Sequence, residues 1–254
     1  MTRKPVLSGS GLWKPQHVIT NEELVVAYNA YAEKFNQENS KEIENGKIEA
    51  KALSSAEFIE KASGIKARYA YIKDGILDVD RMRPKIPPRP EHELSHQAEI
   101  ALNAAGLALN DANKDASEVD AVIVSCAYTE RSYPAIAIEV QDALGIKGFG
   151  FDMLVACSAA TFALQRAYEM VSAGTADCVL VINPELTSPQ VNYRDRDSHF
   201  IFGDISTATI IESDQTCKSE HSYEILGTSA ETVFSNNIRS NFGYITYATD
   251  DDPY

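Results

Sequence analysis

Phe151-Asp-Met-Leu-Val-Ala-Cys-Ser-Ala-Ala-Thr-Phe-Ala-Leu-Gln-Arg166 is the stretch on which the reading of this chain turns. An apolar run over 151–156 stops at Cys157, and an alanine-rich helical pattern begins at the next residue. A thiol is therefore expected at the tip of a strand and on the first turn of a helix. The first N–H groups of a helix lack intrahelical acceptors and the helix dipole is positive there, so a thiolate is favoured over a thiol. A thiolate held this way can accept an acyl group as a thioester. The competing reading is a small core cysteine, because free cysteines are among the most buried side chains.

Working outward, the runs 119–127, 178–183 and 207–212 are also short, apolar and rich in β-branched residues. Gly, Asp, Asn or Pro bounds each, so each reads as a buried strand. Helical patterns lie at about 95–109, 135–144 and 158–173, the last closed by Gly174. Strands alternating with helices predict an α/β fold on a largely parallel sheet covered on both faces. In the pattern 158–173, Ala159, Ala160, Phe162, Ala163, Leu164, Ala167, Met170 and Val171 spread around much of the circumference. Such a helix should be buried nearly all round. No second helix of this kind occurs in the chain, so another subunit or a further part of the fold is expected to cover it. Residues 28–62 read as polar and helical. Asp80-Arg-Met-Arg-Pro-Lys-Ile-Pro-Pro-Arg-Pro90 cannot be regular structure and is expected to be an ordered connector.

Composition sets the outer bounds. The 254 residues are 44% hydrophobic and 24% charged with a net charge of −14, which argues against nucleic acid or an anionic membrane as the main partner. An acidic partner could still dock on a local basic patch. The four cysteines, 126, 157, 178 and 217, show no CxxC pair and no disulfide or zinc spacing. Cys126 and Cys178 sit in strand-like runs and read as core, whereas Cys217 sits in a polar turn. No signal pattern or membrane-length apolar run is visible, and with reduced thiols the cytoplasm is the expected location.

Other chemistry-bearing patterns are weaker. His92-Glu-Leu-Ser-His96 matches the HExxH zinc pattern and is expected on the opening turn of a helix after Pro90. The extended motif would need a Gly and a third His where Glu99 and Leu102 stand, so chance is the better account. A zinc hydrolase using His92 and His96 stays as an alternative. Neither a phosphate-cradling glycine loop nor a Gly-x-Ser-x-Gly elbow occurs. His199 could be a base, but its setting beside Phe200 and Phe202 favours a structural role.

From about Ser54 to Glu212 the chain resembles the β-ketoacyl-acyl carrier protein synthase III family of thiolase-like condensing enzymes. The matching pieces are Ser63-Gly-Ile-Lys-Ala-Arg-Tyr69, Tyr133-Pro-Ala135, Leu144-Gly-Ile-Lys147, Val155-Ala-Cys-Ser-Ala159 and Ile201-Phe-Gly-Asp204. Each is weak alone, but their order and spacing are specific. The resemblance implies a five-layered αβαβα fold of two similar halves, assembled as a homodimer, whose two central helices pack together. It divides this chain into a half over 1–217 carrying the nucleophile and the start of a second half over 218–254. It implies acyl transfer from acyl-CoA to Cys157, then attack by the carbanion from decarboxylating malonyl-acyl carrier protein, with no metal or redox cofactor. By position, Ser54, Phe58 and Arg196 fall where the family meets the CoA adenine end, and Phe202 lines the acyl pocket.

Departures from the family pattern accompany this. Phe58 stands in place of a Trp, Ala62 in place of an Arg, and Ile205 where a small residue is usual. The Cys-Ser-Ala-Ala-Thr-Phe and Arg-Asp-Ser-His-Phe-Ile-Phe runs resemble the branch that primes with medium-chain acyl-CoA and gives β-ketodecanoyl products. The family's catalytic His and Asn belong to its second half, and nothing after Tyr223 resembles their segments. The chain alone is therefore expected to lack decarboxylative condensation, and a non-catalytic CoA- or acyl-binding half-domain is the alternative. Lys61, Lys66, Arg68, Arg194 and Arg196 are the candidates for docking an acidic carrier protein.

Overall fold

Thr20 starts the first helix by a capping box: its hydroxyl accepts the Glu23 N–H at 3.2 Å, and the Glu23 carboxylate accepts the Thr20 N–H at 3.0 Å. The computed structural model describes residues 3–235. Residues 236–254 lie outside these, and with them most of the unit expected over 218–254. In chain order, β1 (Pro5–Trp13) and β2 (His17–Thr20) precede α1 (Asn21–Glu38), α2 (Ser40–Glu44), α3 (Ala56–Ser63) and β3 (Ala67–Ala70). Then come α4 (His96–Asp111), β4 (Ala121–Cys126), α5 (Ile136–Leu144), β5 (Phe149–Leu154) and α6 (Ala159–Ala173). The series ends with β6 (Cys178–Glu185), β7 (Ile205–Ser213) and β8 (Tyr223–Glu224).

Six strands form one sheet in the order β5-β4-β6-β7-β1-β8. β5, β4 and β6 run parallel, whereas β7, β1 and β8 pair antiparallel. The expected largely parallel sheet is thus mixed. The helical crossovers α5 and α6 force parallel pairing, but β7 returns from β6 through an irregular loop, which lets the chain run back antiparallel. Burial on both faces hid this difference in the sequence. β8 pairs Tyr223 with Leu7 and Glu224 with Val6, so the chain just past residue 217 still belongs to this sheet.

Helices cover the sheet on both sides. α4 and α5 pack on one face through Ala101, Ala105, Ala108, Ile136 and Val140 against Val122, Val124, Leu180, Ile182 and Ile210. Gly9 on β1 permits the close approach of α4, since a Cβ there would lie 2.5 Å from the Ala108 carbonyl oxygen. On the other face, Ala163, Ala167, Met170 and Val171 of α6 meet Ile123, Val179, Val181 and Ile211. Burial of each Val, Ile or Met side chain here contributes roughly 1.5–3 kcal/mol, and of each alanine methyl about 0.8 kcal/mol. Gly174, with φ 72°, caps α6 as expected. The expectation that α6 is buried all round holds on one side only: Ala160, Thr161, Arg166 and Glu169 are exposed, and Phe162 and Leu164 are half-buried.

A smaller layer sits beside the sheet. β2 and β3 form a two-stranded ribbon, and with α1 and α3 they enclose Ile19, Leu24, Tyr28, Ile59, Ile76, Tyr193 and Phe200. The Pro-rich segment 80–90 is an ordered connector, anchored where Arg89 donates to the Leu94 carbonyl at 2.9 Å and to the Tyr71 hydroxyl at 3.1 Å. Beyond α4, Lys114 forms a buried ion pair with Glu212 of β7 at 2.7 Å and also donates to Thr216 O. Burial opposes the ammonium charge, but the Glu212 carboxylate outweighs it and leaves the Lys114 pKa raised.

Candidate active site

β5 ends at Leu154, and Ala156–Ser158 form one 3-10 turn before α6 begins. Ala156 takes φ 46°, a left-handed conformation that costs a non-glycine residue about 1–2 kcal/mol. That turn carries Cys157 out of the sheet plane and leaves it exposed. The junction is pinned from β4, where the Ser125 hydroxyl lies 3.0 Å from both the Met153 and Ala159 carbonyl oxygens. Thr161 returns a hydroxyl to Ser158 O at 2.9 Å. Below it, the Asp152 carboxylate accepts the Ile136 and Ala137 N–H groups at 2.8 Å each, joining β5 to the start of α5. Burial still raises the Asp152 pKa, against the pull of those two hydrogen bonds.

Cys157 opens onto a hollow of about 320 Å³. Its apolar lining comes from Ala127, Ala159, Ala160, Phe202 and Ile205, and its polar lining from Asn183, Glu185, Thr187 and Thr207. The other cysteines are placed differently. Cys126 and Cys178 are buried as expected, and burial pushes each thiol up to about 12. Cys217 is half-buried.

Gly203 and Asp204 latch the hollow to the ribbon. A Cβ at Gly203 would lie 2.8 Å from the Tyr69 carbonyl oxygen, so only glycine lets the loop lie against β3. The Asp204 carboxyl accepts the Tyr71 and Ser188 N–H groups, both at 2.7 Å, and its own N–H donates to Tyr69 O at 2.9 Å. Burial raises its pKa in opposition to these bonds.

Ser54, Phe58 and Arg196 come together on the small layer. The backbone of Ser54 is held by the Asn29 amide at 2.8 and 3.0 Å, while its hydroxyl is buried with no partner among the described residues. The Arg196 guanidinium lies 3.9 Å above the Phe58 ring and donates to Leu53 O at 2.8 Å. Phe58 meets Phe200 edge to face at 6.1 Å, and two residues further on Phe202 lines the Cys157 hollow. The Phe58–Phe200 contact therefore links the two groups.

Two readings need correction. Arg68 is not a surface docking residue: it is buried and donates to Ile19 O, Thr20 O and Asn21 Oδ1, while burial lowers its pKa. Lys61, Lys66 and Arg194 are exposed. The HExxH pattern does not share a helical turn, because α4 begins at His96 behind the N-cap Ser95, leaving His92 in the preceding turn. Both His96 nitrogens are engaged, Nδ1 with the Tyr71 hydroxyl at 3.1 Å and Nε2 with Pro87 O at 3.0 Å, so the pair offers no zinc site. His199, as its setting suggested, is a core residue, stacked on Tyr28 at 5.0 Å with Nδ1 2.7 Å from Asp195 O. Burial lowers its pKa.

Comparison with known proteins agrees with this geometry. The family profile for 3-oxoacyl-[acyl-carrier-protein] synthase III matches residues 151–232. A β-ketodecanoyl-[acyl-carrier-protein] synthase of Pseudomonas aeruginosa is 48% identical over 222 residues, covering 87% of this chain and 63% of that protein. The chain is similar to the 3-oxoacyl-[acyl-carrier-protein] synthase III family. A family protein of Ruegeria sp. is 29% identical over 216 residues, covering 85% of this chain and 53% of its own. The crystal structure of the synthase III from Aquifex aeolicus superposes with TM-score 0.61 at 26% identity, covering 86% of this chain and 55% of that one. The thiolase-like α/β architecture is thereby established. The chain spans between about half and about two thirds of the length of these relatives.

Within this synthase III frame, Asn183, Glu185, Thr187 and Thr207 were not singled out from sequence. A signal for the first two exists in the topology. β4 connects to β5 through α5 on one face, and β5 to β6 through α6 on the other. The crevice beyond the carboxyl ends of such strands is where α/β sheets bind ligands. Asn183 and Glu185 stand at that end of β6, and Cys157 just beyond that end of β5.

Proposed function

We propose that the chain supplies the acyl-accepting site of a β-ketoacyl-acyl carrier protein synthase III-type acyltransferase of fatty acid biosynthesis. The observation that carries this reading is one exposed thiol at a strand-to-helix turn, opening onto a hollow with an aliphatic and aromatic wall. The Cys157 sulfur attacks the thioester carbonyl of acyl-CoA, the C–S bond to CoA breaks, and CoA leaves as its thiol after taking a proton. Malonyl-acyl carrier protein then loses carbon dioxide, and its carbanion displaces Cys157 to give β-ketoacyl-acyl carrier protein. This chemistry calls for no metal or redox group. Condensation calls for hydrogen-bond donors at the developing oxyanion. Among the described residues no histidine lines the hollow, so the described part of the chain supports loading and not the second step. The name of the Pseudomonas aeruginosa relative favours a medium-chain acyl group.

Ser54, Phe58 and Arg196 form the surface offered to the CoA adenine end, with Arg196 and Phe58 already stacked as a cation–π pair. Lys61, Lys66 and Arg194 are the exposed cations offered to an acidic carrier protein. Homodimer assembly is supported by β5, an edge strand carrying exposed Phe149 and Leu154; an unpaired, apolar edge is a template for pairing with a second copy. No helix among the described residues is long and apolar enough to cross a membrane.

Release of free CoA thiol from octanoyl-CoA tests the reading. One equivalent per chain is expected from the wild type and none from Cys157→Ala. Equal release by both would refute it, and reversible binding without release would favour a non-catalytic acyl-binding half-domain.

A further inference from the structure

The Cys157 hollow contains one ionisable group that thioester formation does not use. Glu185, at the end of β6, lines it together with the thiol. Its two carboxyl oxygens share a single backbone donor, the Ala127 N–H, at 3.1 and 3.3 Å. Burial raises its pKa above the ordinary 4.5, with that hydrogen bond pulling the other way, and no cation contributes among the described residues. Two polar neighbours are engaged elsewhere: Asn183 donates to Ser125 O at 2.8 Å and the Thr187 hydroxyl to Gly203 O at 2.5 Å. The titratable groups around it are Cys126 at the end of β4, Tyr128 just beyond it, and Cys157 before α6. Cys126 and Tyr128 are held protonated by burial, and none of the three can supply positive charge. An alkyl chain entering the hollow would strip water from a carboxylate that has only one amide to replace it.

We propose that Glu185 determines which acyl groups the site accepts: an aliphatic chain fills the Cys157 hollow only when Glu185 is a neutral acid. Chain entry is therefore coupled to uptake of one proton from solvent. A two-carbon group stays near the sulfur and is indifferent to Glu185, whereas a medium-length chain is not. The inference rests on the acyl-accepting reading of the hollow, but its test needs no CoA.

The test compares alkylation of Cys157 in the 254-residue chain by iodoacetamide and by N-octyl-iodoacetamide, resolved by peptide mass spectrometry from acidic to alkaline pH. In both reactions the thiolate displaces iodide and forms one C–S bond, so ionisation of the thiol cancels from the rate ratio. The octyl-to-short ratio is expected to fall as pH rises through the Glu185 titration, by up to about tenfold per pH unit. It should be flat in Glu185→Gln, or in Glu185→Leu should the first variant not fold. A flat ratio in the wild type, or an equal fall in the variants, overturns the proposal. Should octanoyl-CoA fail to load Cys157 while the ratio behaves as expected, the acyl-CoA reading falls and the role of Glu185 stands.

Discussion

Replacing Asp204 by alanine removes the acceptor of two backbone N–H groups, those of Tyr71 and Ser188, each at 2.7 Å. An orphaned buried donor costs about 1–3 kcal/mol. Ser188 is only 1% exposed and falls at the upper end, while half-buried Tyr71 can recruit water and falls at the lower. The loss is therefore about 3–4 kcal/mol, reduced to about 2–3 kcal/mol because the variant no longer ionises a carboxyl that burial disfavours. For a chain of this size that lowers Tm by roughly 4–12 °C. The sign of the pH dependence follows from the raised Asp204 pKa. Its favourable contribution is complete below the ordinary 3.8 and is lost as pH rises through the folded value, so the deficit shrinks toward neutral pH. Urea titration and thermal melts read the stability, with exposed Asp197→Ala as control. A change under about 0.5 kcal/mol, the level expected of a surface position, would refute the latch.

Lys114→Met leaves Glu212 buried without its partner and should cost about 3–5 kcal/mol in a urea titration. Most of that should return in Lys114→Met/Glu212→Leu, and failure to recover would count against pairing as the cause. His199 has a pKa lowered by burial, so its contribution is present above the ordinary 6.5 and fades as pH falls through the folded value. The wild type should lose up to about 1.4 kcal/mol per pH unit there, and His199→Phe should show a shallower slope in Tm against pH.

Much of this architecture was written locally. Cys157 at a strand-to-helix boundary, the Gly174 cap, the fully buried β4 and the buried run Cys178–Ile182 of β6 all follow from patterns within about ten residues. Strand direction was not local: β7 looks like any doubly buried strand, and only its irregular connection from β6 makes it antiparallel. Arg68 reads as a surface cation because an isolated charged residue is usually solvated, and its three acceptors lie 47 to 49 residues away in the chain. His96 was ambiguous for a similar reason: whether its ring is free for a metal depends on Tyr71 and on the Pro87 carbonyl. Glu185 carried no local sequence signal beyond its place at the carboxyl end of β6, since its meaning comes from the parallel register that sets β6 beside β4 and from α6 presenting Cys157 to the same hollow. Ser54, Phe58 and Arg196 were legible only through resemblance to the family. Their meeting across about 140 residues of chain is a property of the small layer.

The most direct test of the account is peptide-resolved mass spectrometry of all four cysteines after incubation with octanoyl-CoA. An octanoyl group on Cys157, absent from buried Cys126 and Cys178 and from Cys217, is the expected result. An unmodified Cys157, or acylation shared with Cys217 in proportion to exposure alone, would contradict it.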